Sequence, residues 1–100
     1  MYVNRKIFTT KHGATQDVFA LCQRILNRHP YPRTTRVYRN VFGESQDVVV
    51  EFECESLTDY EKIHPQWVAG WPEDLGAEWQ SFDIDGREEF WEAVEQEVDG

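Results

Sequence analysis

Two groups of side chains in this chain have types and spacing that could do chemistry. Arg36, Tyr38 and Asn40 alternate along one segment, and Glu51 and Glu53 alternate along the next. In extended backbone, alternate residues share a face, so a guanidinium, a phenol, an amide and two carboxylates would converge. An aromatic from the last strand, Phe90 or Trp91, would join them. A few polar groups among aromatic walls is the usual form of a small-molecule pocket. The competing reading is a wet sheet face carrying cross-strand ion pairs, and the pattern alone leaves both open. The second group is His64 with Trp67, Trp71 and Trp79 at helical spacing. An imidazole on an inner helical stripe could move a proton near neutral pH. Its plainer reading is a part-buried histidine with a hydrogen-bond partner, and aromatics spaced this way are more often core than pocket wall.

Other chemistries are missing their residues. The two cysteines, Cys22 and Cys54, have no CxxC spacing, and the three histidines show no HxH or HxxxH pattern, so no metal is expected. Cys22 and Cys54 sit among apolar residues and read as reduced core thiols. His12 and His29 fall in turns and read as solvated. No GxSxG and no phosphate-cradling glycine loop is present. An RNA-recognition sheet would carry basic and aromatic residues where Val48 to Glu53 offers alternating acids, so no nucleic acid is expected as a partner.

The net charge of −9 also argues against phosphate backbones and anionic lipid. That charge is unevenly spread. Residues 1–43 carry eight Lys/Arg against the single acid Asp17, whereas residues 44–100 carry two against eighteen acids. No apolar run is long enough to span a bilayer, and the start lacks the apolar stretch of a secretion signal. A cytoplasmic protein with no membrane partner is therefore expected, and 100 residues is the usual size of one domain.

These side chains need elements to position them. Tyr2 to Lys11 is rich in Val, Ile, Phe and Thr and reads as a strand. Thr15 can cap the helix that follows, in which Val18, Leu21, Cys22, Ile25 and Leu26 repeat at helical spacing, and His29-Pro30-Tyr31-Pro32 stops it. Arg33 to Phe42 and Asp47 to Cys54 read as a hairpin closed by Gly43-Glu44-Ser45-Gln46. A four-residue loop sets Val37 opposite Phe52, Arg39 opposite Val50, Val41 opposite Val48, Arg36 opposite Glu53 and Tyr38 opposite Glu51. Ser56-Leu57-Thr58-Asp59 is a capping-box-like start to a second helix, which Pro65 should kink or restart. A short helical turn with Leu75 and Trp79 follows, then a last strand from Arg87 to Glu95, whose acids read as a solvated edge. The order is βαββαβ: an α+β, ferredoxin-like domain over residues 1–100 with a four-stranded antiparallel sheet, one face covered by helices and the other open.

Three stretches carry a family likeness: Arg5 to Gly13 with its amphipathic helix, the hairpin running into Phe52 to Tyr60, and Gly86 to Trp91. Together they resemble the dimeric α+β barrel superfamily, in its antibiotic-biosynthesis-monooxygenase-like and NIPSNAP-like branches. The resemblance implies a homodimer whose open sheet faces meet, with a pocket in each protomer between sheet and helices. Some members are cofactor-free oxygenases, so no cofactor is expected. The expected function is a barrel that binds a small apolar or aromatic molecule and, in its enzymatic form, oxidises it as a cofactor-independent monooxygenase. In it Tyr38 and Asn40 orient oxygens, Arg36 stabilises an enolate or phenolate, His64 takes a proton, and Trp67 and Trp91 form walls. A heme-degrading branch uses a first-strand Asn, which Asn4 matches. That branch's Trp and His align with Tyr60 and with Gly70 or Trp71, which speaks against heme here. The alternative function is a non-catalytic ligand-sensing or interaction module.

Overall fold

The computed structural model of the chain describes residues 1–11, 13–43 and 45–97. Its elements are β1 (Tyr2–Thr9), α1 (Thr15–Arg28), β2 (Thr35–Arg39), β3 (Asp47–Cys54), α2 (Leu57–Ala69), α3 (Glu73–Ser81) and β4 (Asp85–Glu92). The strands form one antiparallel sheet in the order β2-β3-β1-β4, the ferredoxin-like topology, with α3 inserted before the last strand. No helix among the described residues is long and apolar enough to cross a membrane.

Burial along β3 alternates strictly: Val48, Val50, Phe52 and Cys54 are buried and the residues between them half-buried. That period of two defines the covered face. The registers set Asn4, Lys6 and Phe8 of β1 on the same face, between β3 and the β4 residues Gly86, Glu88 and Phe90. Helix α1 lays Val18, Leu21, Cys22 and Ile25 against it, and α2 and α3 add Trp67 and Leu75. Each such apolar side chain contributes about 1.5 to 3 kcal/mol by leaving water. Cys22 and Cys54 are both buried free thiols, and burial pushes the Cys22 thiol up to about 12.

Local chemistry corrects the sequence reading in several places. Thr15 does not cap α1. Its hydroxyl lies 3.1 Å from the Gln46 carbonyl and 2.9 Å from the Thr10 hydroxyl, tying the helix start to the β2–β3 loop. Ser56 does cap α2, accepting the Asp59 N–H at 3.0 Å. Asp59 reaches back to the Glu55 N–H at 3.0 Å and accepts from Arg33 at 2.7 Å, and these two donors hold its carboxyl below the usual range. Pro65 neither ends nor restarts α2, which runs on to Ala69. β1 stops at Thr9, and β4 starts and ends earlier than the sequence indicates.

The hairpin register also differs, by two residues. Val37 faces Val50, Arg36 faces Glu51, Tyr38 faces Val49 and Arg39 faces Val48. The connection is longer than four residues: β2 ends at Arg39, Gly43 adopts φ +119°, and Val41 and Phe42 project 88% and 97% exposed instead of pairing. An even shift leaves every side chain on its expected face, so the face assignment survives the slip. His12 lies outside the described residues. His29 is not solvated: it is half-buried at the end of α1, and its Nε2 donates to the Trp67 carbonyl at 2.9 Å. Trp67 Nε1 in turn donates to the His29 carbonyl at 2.8 Å, and the two rings stack.

The uneven charge resolves within the chain. The sheet order interleaves the basic strands β2 and β1 with the acidic strands β3 and β4. Every ion pair among the described residues joins a base from residues 1–43 to an acid from residues 44–100: Arg5 and Arg36 to Glu51, Lys6 to Glu88, Lys11 to Asp83, Arg24 to Glu78, Arg28 to Asp74, Arg33 to Asp59, and Arg36 also to Glu53. Singly these exposed pairs contribute roughly 0 to 1 kcal/mol. Their common direction favours the pairing of the two halves over like-with-like alternatives.

Candidate functional site: a cavity between sheet and helices

Between the covered sheet face and the helices lies a cavity of ≈ 200 Å³. Phe8, Val50 and Phe52 form its floor, α1 supplies Cys22, Ile25 and Leu26, and His64, Trp67, Val68, Trp71 and Trp79 close the other side. The tryptophans meet edge to face, with Trp71 centroids 5.4 Å from Trp67 and 6.0 Å from Trp79. Quadrupoles favour such edge contacts and make a stiff wall. Trp67 is anchored through His29. Trp71 lines the cavity, while its indole N–H is buried and finds no hydrogen-bond partner among the described residues.

One end of the cavity is polar. Lys6 on β1 donates to the Tyr60 hydroxyl at 2.6 Å and forms an ion pair with Glu88 on β4. Tyr60 donates to the same carboxylate at 3.1 Å, and the Asn4 amide approaches it at 3.4 Å. Lys6 holds the Glu88 carboxyl below its usual range, while burial pushes the Tyr60 hydroxyl up. His64 packs on Tyr60 at 4.8 Å between centroids, and its Nδ1 lies 3.3 Å from the Tyr31 hydroxyl. Burial, and then the nearby Lys6 ammonium, lower the His64 pKa to about 4. The ring is therefore neutral at physiological pH and serves as a hydrogen-bonding group.

The residues singled out from sequence fall into two sets separated by the sheet. His64 and Trp67 line the cavity, and Asn4, 1% exposed, adjoins its polar end. Arg36, Tyr38 and Trp91 are on the open face, with Asn40 at its rim. There Arg36 is held by Glu53 at 3.1 Å and Glu51 at 3.5 Å, Tyr38 donates to Glu51 at 3.4 Å, and Trp91 donates to Glu89 at 3.2 Å. Arg36 and Trp91 consequently cannot share one pocket with His64 and Trp67 within a chain. Phe90, the other candidate from the last strand, faces the helices and lies 5.9 Å from Tyr60.

Sequence reasoning missed Lys6 and Glu88. Glu88 read as a solvated edge, yet it is the acceptor on which Lys6, Tyr60 and Asn4 converge. The available signal was the alternation Asn4, Lys6, Phe8, which sets a lysine between an amide and an aromatic on the face the helices cover.

No family profile matches the chain, and no curated protein matches it in sequence. Solved structures do match it in shape. The fold, a ferredoxin-like α+β domain, is shared with an uncharacterized NIPSNAP domain protein from Burkholderia xenovorans at TM-score 0.72 and 12% identity, over 99% of this chain and 100% of that one. It is shared with a candidate antibiotic biosynthesis monooxygenase from Deinococcus radiodurans at TM-score 0.66 and 11% identity, over 100% of both chains. It is shared too with a dimeric ferredoxin-like protein from an uncultured marine organism at TM-score 0.65 and 12% identity, over 99% and 100%. The likeness to the NIPSNAP and monooxygenase branches expected from sequence is thus present as a likeness of fold.

The cavity, at ≈ 200 Å³, is close in size to the roughly 150 Å³ that takes one benzene ring and is smaller than a tetrapyrrole.

Proposed function

We propose that the chain is one subunit of a homodimer that binds a small apolar or aromatic molecule in the cavity between sheet and helices. The observation that carries this reading is an aromatic-walled space with a single polar end, the usual composition of a ligand site. Its volume sets the size of the occupant at one substituted ring. Titrating toluene or ethylbenzene against the tryptophan fluorescence tests the reading. Saturable quenching or enhancement is expected, and it should vanish in Val68→Trp, which fills the space from an exposed position on α2. A signal that neither saturates nor responds to this substitution would refute it.

The dimer is supported by the open sheet face, where Tyr38 and Trp91 are exposed, and by the dimeric description of one structural neighbour. On this reading Arg36, Tyr38, Asn40 and Trp91 belong to the interface between copies, and Asn4, His64 and Trp67 to the ligand site. Sedimentation velocity at micromolar concentration should give a species of twice 11.8 kDa.

We favour binding over oxygenation at this site. A base of pKa about 4 taking a proton from an ordinary phenol of about 10 works against roughly a million-fold. A cofactor-free monooxygenase here would need a far more acidic substrate. Oxygen uptake with bound phenol should therefore stay at background.

A further inference from the structure

We infer that two copies of the chain pack open face to open face about a twofold axis running along the strands, so that β2 of each lies over β4 of the other and Arg36 meets the partner's Glu89. The inference rests on the dimer reading above and deepens it by naming which residues meet. The registers arrange the open face in rows across the sheet. One row reads Arg36, Glu51, Arg5, Glu89, alternating in sign, and the next reads Tyr38, Val49, Ile7, Arg87. Asp47, Thr9 and Asp85 flank these rows on one side, and Glu53, Val3 and Trp91 on the other. A chain of net charge −9 repels its own copy, so a contact between copies needs cations within it. The open face supplies Arg5, Arg36 and Arg87, and Arg87 has no carboxylate partner among the described residues.

The charge pattern selects one axis. Stacked sheets lie about 10 Å apart, a gap that an arginine and a glutamate can close from opposite sides. In a twofold contact the axis fixes which position each residue meets. An axis along the strands, midway between β3 and β1, lays β2 on the partner's β4 and β3 on the partner's β1. Arg36 then meets the partner's Glu89, Glu51 the partner's Arg5, Tyr38 the partner's Arg87, and Val49 the partner's Ile7. No like charges meet in these rows. At the flanks Asp47 meets the partner's Thr9, and Glu53, held by its own Arg36 at 3.1 Å, meets the partner's Val3. An axis across the strands instead lays each strand on its own copy. Centred on the Arg5 row, it sets like on like at all of its positions. Centred on the Ile7 row, it sets Glu51 on the partner's Asp47 and Glu89 on the partner's Asp85. Centred between the rows, it sets Asp47 on the partner's Glu53 and Glu51 on the apolar Val49 of the partner subunit. Facing like charges, or a carboxylate against a methyl surface, disfavours each of these.

Charge reversal tests the arrangement by sedimentation equilibrium. Arg36→Glu and Glu89→Arg should each raise the dimer dissociation constant about a hundredfold, because each creates two symmetric like-charge contacts. Glu89→Arg also lowers the net charge, so general repulsion alone would tighten its dimer, whereas the arrangement predicts the opposite. Mixing the two variants should restore wild-type affinity, since both contacts in the mixed dimer again join opposite charges. The double variant Arg36→Glu/Glu89→Arg should dimerise for the same reason. It carries the intrachain changes of both, so a loss caused by misfolding would deepen in it rather than disappear. Single variants that dimerise like the wild type, or a mixture no tighter than its parts, would overturn the arrangement and leave the dimer reading intact. A wild-type protein that stays monomeric at micromolar concentration would overturn both.

Discussion

Protonating His64 should destabilise the fold within a defined pH window. The group has an ordinary pKa of 6.5 and a folded value of about 4, set first by burial and then by the Lys6 ammonium, with Glu88 opposing. Between these values the unfolded chain holds more protons than the folded one, so stability rises with pH there. Above pH 6.5 both states are neutral at this site and nothing is lost. As pH falls from 6.5 toward 4 the penalty accumulates, and below about 4 it is complete. The full pKa difference corresponds to about 3 kcal/mol, and the ring's partial solvent exposure reduces that to roughly 1 to 2 kcal/mol. The assay is urea denaturation of the wild type and His64→Asn at steps from pH 7.5 to pH 4, since asparagine keeps a polar atom near Nδ1 without titrating. Carboxylate titrations are common to both proteins and cancel in the difference. The wild type should lose roughly 1 to 2 kcal/mol relative to the variant across the window. A difference that stays flat, or one that falls above pH 6.5, would refute the placement of His64 in a half-buried site beside Lys6.

Lys6→Met should raise the His64 pKa from about 4 toward its ordinary 6.5, because the repelling ammonium goes and Glu88 stays; a proton-NMR titration of the ring reads this directly. Gly70→Ala should destabilise by roughly 1 to 3 kcal/mol, since a Cβ there would lie 2.8 Å from His29 Nε2, and that ring is pinned by its bond to the Trp67 carbonyl. Adding His29→Ala should restore part of the loss, and an additive double mutant would contradict the clash. Ser56→Ala should cost about 1 kcal/mol through the lost α2 cap, measured by thermal or urea denaturation.

Periodicity made the fold legible. The strict alternation of Val48, Val50, Phe52 and Cys54 and the helical stripe through His64 and Trp67 placed these residues on the covered side before any coordinates. The hairpin register was two residues out because loop length is weakly written in the sequence: Val41 and Phe42 look like strand residues but stand out in solvent. Face assignment tolerated that slip because the side-chain period is two. The polar end of the cavity was not legible. Lys6 meets Glu88 across 82 positions through a β1–β4 pairing that no local pattern specifies, so the group on which the site's electrostatics depend looked like one more acid in an acidic segment. The split in charge was visible, but its partner was not. Only the interleaved strand order shows that the basic half of the chain pairs with its own acidic half.

Crystals of the protein equilibrated with ethylbenzene would test the central claim most directly. A single ring should appear among Phe52, His64, Trp67 and Trp71. A cavity filled by ordered water, or collapsed around its own side chains, would contradict the account.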